Sequence, residues 1–95
     1  MLAAIDLGTN SARLLVGKFE KEKIKTVLRT RRITRMGEGL GQKGPIQEKG
    51  IVRTLASLKE FAEILEGLPV SQLRVFGTSA ARRALDISWL EKGVK

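Results

Sequence analysis

The sequence predicts an α/β domain on a mixed four-stranded sheet, and three observations carry that prediction. Three β-rich stretches follow one another within the first 33 residues, separated by short polar turns, as in an antiparallel meander. A long stretch with 3.6-residue periodicity comes next and ends near Glu66. A fourth β-rich stretch, Leu73-Arg74-Val75-Phe76-Gly77, follows it. The helix is then a crossover, and the fourth strand is expected to run parallel to the first. The strand order becomes 3-2-1-4, in one domain over residues 1–95.

Residues 3–6 form the first strand, a short blunt apolar run of the kind expected when both faces are buried. Residues 12–19 form the second. Glu20-Lys21-Glu22-Lys23 between it and the third strand reads as a solvated hairpin turn. In the third strand, Ile24 to Ile33, neither alternate face is cleanly apolar, which suits a sheet edge guarded by charge. Arg29, Arg31, Arg32 and Arg35 make the densest basic run of the chain, and alternation would put Arg29, Arg31 and Arg35 on one side. That side is either an edge guard or a track for a long polyanion.

A glycine-rich loop follows. Its Gly39-Leu40-Gly41-Gln42-Lys43-Gly44 matches G-x-G-x-x-G, but a dinucleotide fingerprint needs an apolar central strand before it, and here an Arg-rich edge strand precedes. The helix is expected from about Ile46 to Glu66. Pro45 is at its start, Ile51, Leu55, Leu58, Ala62 and Leu65 form one stripe, and Gly67 with Pro69 ends it. Gly50 inside it costs about 1 kcal/mol against alanine, so the first turn is expected to fray or to begin late. After the fourth strand, Thr78-Ser79 caps a short helix over 80–85, and another helical turn or two is expected around Trp89 and Leu90.

Composition narrows the chemistry. Eighteen basic against ten acidic residues leave a net charge of +8, which favours a polyanionic partner. With no histidine and no cysteine, there is no imidazole or thiolate for a metal or a nucleophile, so acid–base work falls to Asp or Glu and any metal is a hard cation such as Mg²⁺. No apolar run approaches the roughly 18 residues of a membrane span, and the N-terminus lacks a signal-peptide pattern, so a cytoplasmic protein with no membrane partner is expected.

The candidate site is the turn between the first two strands. Asp6 ends the first strand, Gly8 permits a positive φ or a close backbone approach, Thr9, Asn10 and Ser11 bring short hydrogen-bonding groups, and Arg13 follows. Such a set suits a phosphate, with Asp6 placed to hold a cation beside it. An ordinary polar hairpin tip would look similar. If the first and fourth strands are parallel neighbours, Gly77-Thr78-Ser79 reaches the same sheet edge, Arg82 lies one helical turn further on, and the carboxyl ends of strands are where open α/β sheets bind ligands.

Three segments resemble the N-terminus of the exopolyphosphatase / guanosine pentaphosphate phosphatase family, in the superfamily of actin, sugar kinases and heat-shock chaperone ATPases. They are Ala4-Ile5-Asp6-Leu7-Gly8-Thr9-Asn10-Ser11-Ala12-Arg13, then Met36-Gly37-Glu38-Gly39-Leu40, then Gly77-Thr78-Ser79-Ala80-Ala81-Arg82-Arg83-Ala84. The resemblance implies a ribonuclease H-like (actin-like ATPase) partial lobe, the N-terminal part of a longer enzyme. It implies phosphate binding by Gly8, Thr9, Asn10, Ser11, Arg13, Thr78, Ser79 and Arg82, with Asp6 near Mg²⁺ and Arg35 and Glu38 at the cleft mouth. The implied substrates are polyphosphate or guanosine pentaphosphate, losing a terminal phosphate, and the parent enzyme is expected to be a homodimer. Relatives carry their general base and a second phosphate loop in sequence following the part matched here, so these 95 residues alone are expected to be inactive. Arg83 and Asp86 depart from the family's usual acid and Asn. The competing readings are a sugar-kinase-like or actin-like ATPase fragment, and a non-catalytic polyanion-binding or nucleic-acid-binding domain motivated by the charge; nucleic acid is not the expected partner.

Overall fold

The computed structural model describes residues 1–8, 10–35, 48–77 and 90. Three strands, β1 (Leu2–Leu7), β2 (Ser11–Glu20) and β3 (Lys23–Ile33), are followed by helix α1 (Glu48–Glu66) and strand β4 (Gln72–Gly77). The sheet order is β3-β2-β1-β4, with β1 antiparallel to β2, β2 antiparallel to β3, and β1 parallel to β4. Meander, crossover and edge position of β3 all match the sequence reading. The helix start at Pro45 and Ile46, the short helix over 80–85 and the surroundings of Trp89 lie outside the described residues.

β1 departs from the expectation. It alternates, with Ala3, Ile5 and Leu7 buried while Leu2 and Asp6 are exposed and Ala4 is half-buried. The chain packs α1 against one face of the sheet, and the other is open among the described residues. The packed face is aliphatic: Ala3, Ile5 and Leu7 meet Ala12, Leu14 and Val16 of β2, Leu73 and Val75 of β4, and Leu58, Phe61 and Leu65 of α1, with Val70 and Leu90 completing the cluster.

The helix buries a line slightly rotated from the predicted stripe. Gly50, Thr54, Ser57, Leu58, Phe61 and Leu65 are buried, whereas Ile51, Leu55 and Ala62 are half-buried flanks. Two buried hydroxyls on this line are satisfied within the helix: Thr54 Oγ1 donates to the Gly50 carbonyl at 2.7 Å, and Ser57 Oγ donates to the Arg53 carbonyl at 3.1 Å. Back-bonding to the carbonyl four residues earlier removes most of the cost of burying them. Gly50, expected to fray the helix, sits buried within it and supplies one of those acceptors.

The β2–β3 turn is a two-residue connection in which Lys21 (φ 52°) and Glu22 (φ 65°) both adopt the left-handed region, as a type I′ turn requires. Between Val16 and Gly17 a bulge shifts the β2–β3 register; a Cβ on Gly17 would lie 2.9 Å from Ile24 Cγ2, so any larger residue there would require the exposed Ile24 side chain to shift.

Candidate functional site

The parallel pairing of β1 and β4 sets Leu7 directly beside Gly77, so both strands finish on one edge of the sheet. The approach is close: a Cβ on Gly77 would lie 3.1 Å from Leu7 Cβ. The β1–β2 turn rises from that edge. The Gly8 N–H donates to the Ser11 carbonyl at 2.9 Å and closes the turn. A Cβ on Gly8 would sit 3.1 Å from that same carbonyl, and its φ is not in the left-handed region, so the glycine is required for close approach and not for a positive φ.

Asp6, Gly8, Asn10, Ser11 and Arg13 together line an open pocket of about 300 Å³. Asp6 and Arg13 are exposed and stand opposite each other in the β1–β2 register, on the open face of the sheet. Neither forms an ion pair or a side-chain hydrogen bond with any described residue, leaving a carboxylate and a guanidinium side by side and both available to a ligand. Asp6, the Asn10 amide oxygen and the Ser11 hydroxyl are hard oxygen donors of the type Mg²⁺ takes. No cluster of three or more acidic side chains exists among the described residues. A Mg²⁺ here would be held through the single carboxylate of Asp6, with waters and ligand oxygens completing its shell.

The turn is anchored from behind. The Asn10 carbonyl accepts two N–H groups from the end of β3, Thr34 at 2.9 Å and Arg35 at 3.1 Å. Arg53 of α1 holds the same two residues by their carbonyls: its Nε donates to Thr34 O at 2.6 Å and its Nη2 to Arg35 O at 3.2 Å. Thr34 is buried, and its Oγ1 has no hydrogen-bond partner among the described residues. Arg35 adopts φ 50°, which turns the chain out of β3, so the strand alternation that groups Arg29 with Arg31 stops at Ile33 and does not carry Arg35 onto that side. Its side chain is exposed and its backbone touches the turn, but it does not line the pocket. Thr34 and Arg53 carry no sequence signal for this task, because their bonds span 24 and 19 residues of chain and depend on α1 crossing the end of β3. Thr9, Glu38, Thr78, Ser79 and Arg82 lie outside the described residues.

Sheet, crossover helix and turn define an α/β fold with an open polar pocket at the carboxyl end of β1. Residues 15–88 match the Ppx/GppA phosphatase family, and the chain belongs to that family. It is 34% identical over 93 residues to a guanosine-5'-triphosphate,3'-diphosphate pyrophosphatase of Aliivibrio fischeri, an alignment covering 97% of this chain and 19% of the relative. It superimposes on the crystal structure of an exopolyphosphatase from Cytophaga hutchinsonii with a TM-score of 0.83 and 28% identity, over 99% of this chain and 32% of that one. The Aquifex aeolicus Ppx/GppA phosphatase gives a TM-score of 0.82 and 27% identity, over 98% and 32%. The fold is the expected partial lobe of ribonuclease H-like, actin-like ATPase architecture. The chain spans about a quarter or less of the curated relatives it matches, 26% of one and 19% of another. No described helix is long and apolar enough to cross a membrane.

Proposed function

We propose that these 95 residues are the N-terminal part of a cytoplasmic phosphoanhydride hydrolase that removes the terminal phosphate from polyphosphate or guanosine pentaphosphate. The observation that carries this reading is the meeting of Asp6, Gly8, Asn10, Ser11 and Arg13 in one open pocket at the carboxyl end of β1. Family membership supports it.

In this reading Arg13 and the polar groups of the turn bind the terminal phosphate, and their charge offsets the negative charge on its oxygens as the bridging P–O bond lengthens. Asp6 holds Mg²⁺, which when bound neutralises phosphate charge. Thr9, Thr78, Ser79 and Arg82 complete the phosphate contacts, and Arg35 with Glu38 flanks the mouth. The base that takes the proton of the attacking water comes from sequence following residue 95, in keeping with the share of its relatives that the chain spans. The 95 residues alone then bind phosphate without turnover, and the whole enzyme works as a homodimer.

The test is phosphate release by the full-length protein from both substrates, with and without Mg²⁺. Release should require the metal, and Arg13→Ala should lower it by about 10²-fold or more. Release unchanged in Arg13→Ala would remove the turn from the site, and failure to release phosphate from either substrate would remove the hydrolase.

A further inference from the structure

Arg53 has no part in the terminal-phosphate reading, yet its hydrogen bonds lead to the pocket through the backbone alone. It belongs to α1, and its guanidinium reaches the end of β3, where Nε donates to the Thr34 carbonyl at 2.6 Å and Nη2 to the Arg35 carbonyl at 3.2 Å. The Thr34 carbonyl shares its peptide plane with the Arg35 N–H, which donates to the Asn10 carbonyl at 3.1 Å. The Asn10 carbonyl in turn shares its plane with the Ser11 N–H, and Ser11 lines the pocket.

The direction of that last N–H follows from peptide geometry. No described peptide bond is cis, so the C=O and N–H of each peptide point in opposite directions. An Asn10 carbonyl aimed at the end of β3 turns the Ser11 N–H away from β3. Because β2 lies between β3 and β1, that direction is toward β1, on whose side Asp6 and Gly8 line the same pocket. Two features hold the aim. The Thr34 N–H is a second donor to the Asn10 carbonyl, at 2.9 Å. Arg35 keeps φ 50°, a left-handed conformation that persists only where the surroundings impose it, and here its N–H is tied to Asn10 while its carbonyl is tied to Arg53.

A hydrogen-bond chain that starts at a cation is polarised along its length. Each carbonyl that accepts a bond makes the N–H of its own peptide a stronger donor, by roughly 10–30% per bond. This chain runs from the guanidinium through two peptides and ends on a donor at the pocket, the sense an anion requires.

We propose that Arg53 is a positioning residue for the phosphate pocket, acting through the Thr34–Arg35 and Asn10–Ser11 peptides to aim and strengthen the Ser11 N–H as an anion donor. The inference rests on the phosphate pocket proposed above and adds to it a residue that does not line it.

The experiment uses the full-length protein, with inorganic phosphate as the binding probe and tripolyphosphate as the substrate. The variants are Arg53→Gln and the charge-preserving Arg53→Lys. Arg32→Gln is the comparison, because Arg32 joins β3 to α1 through Glu60 without touching the relay. The Ser11 amide proton is followed by NMR in protein labelled with ¹⁵N-serine. In Arg53→Gln it should move upfield before any ligand is added, and phosphate affinity and kcat should each fall by about tenfold. Arg53→Lys keeps the cation and should lose only about threefold, with a smaller upfield shift. Arg32→Gln should leave the Ser11 shift and the phosphate affinity unchanged.

A folded Arg53→Gln protein with the wild-type Ser11 shift, or with wild-type affinity and kcat, would overturn the proposal. Equal losses in the glutamine and lysine variants, in step with a lowered denaturation midpoint, would also overturn it and reduce Arg53 to a pin between α1 and β3. Should the glutamine variant not fold, the lysine variant decides, and wild-type shift and affinity there would count against the relay. A wild type that binds no inorganic phosphate, with the Ser11 shift still governed by Arg53, would remove the phosphate pocket and leave the positioning role standing.

Discussion

The two faces of this sheet are built from the same strands and obey opposite rules. Leu14 is fully buried under α1, while its neighbour Leu15 is 41% exposed on the open side. Arg32 reaches toward α1, pairs with Glu60 and lies with its guanidinium 5.9 Å from the Phe61 ring centre, while its neighbour Arg31 stands against Arg13 without a partner among the described residues. Stability is concentrated on one face, and the groups available to a ligand on the other. A single step of register would exchange them, because side chains alternate with a period of two.

The contrast can be broken most severely at Phe61, fully buried at the centre of the helix line. Phe61→Ala should cost about 3–5 kcal/mol, comparable to the whole stability of a small domain, and chemical denaturation would show it as lost or severely weakened cooperative unfolding. The adjacent pair on β2 sharpens the point. Leu14→Ala should cost about 2–5 kcal/mol and Leu15→Ala within roughly 0.5 kcal/mol, so similar denaturation midpoints for the two would contradict the assignment of faces. The smallest effects separate the adjacent arginines. Arg32→Ala should destabilise by no more than about 1 kcal/mol, since both partners of its ion pair are substantially exposed, whereas Arg31→Gln should be neutral or slightly stabilising through relief of repulsion with Arg13.

Much of this arrangement was legible because it is local. The turn from Asp6 to Arg13 brings its pocket residues together within eight positions, and two strands joined by a short turn leave them no other geometry. Strand order followed from the meander and the crossover. β1 was harder: Leu2-Ala3-Ala4-Ile5 is apolar at every position, so its period of two is invisible until packing shows that α1 covers only Ala3 and Ile5. The buried line of α1 was displaced for a related reason. Thr54 and Ser57 look solvent-facing by residue type, but their hydroxyls bond back to the helix backbone and can be buried, which centres the helix on Phe61. The anchoring of Asn10 by Thr34 and Arg35, and of both by Arg53, was not legible, because it arises only when distant segments meet.

That anchoring bears on the entropy of recognition. A loop that must become ordered around its ligand loses conformational freedom at the moment of binding, and affinity falls accordingly. Here the Asn10 carbonyl already holds two amide hydrogens in the free chain, and Arg53 fixes the residues that donate them. If the turn binds an anion as proposed, it does so with the Asn10 backbone already held, and that part of the ordering cost falls in folding. In hydrogen-exchange terms, the Thr34 and Arg35 amides should be protected before any phosphate is added and change little afterwards. A large gain in their protection on adding phosphate would instead describe a turn that forms around its ligand.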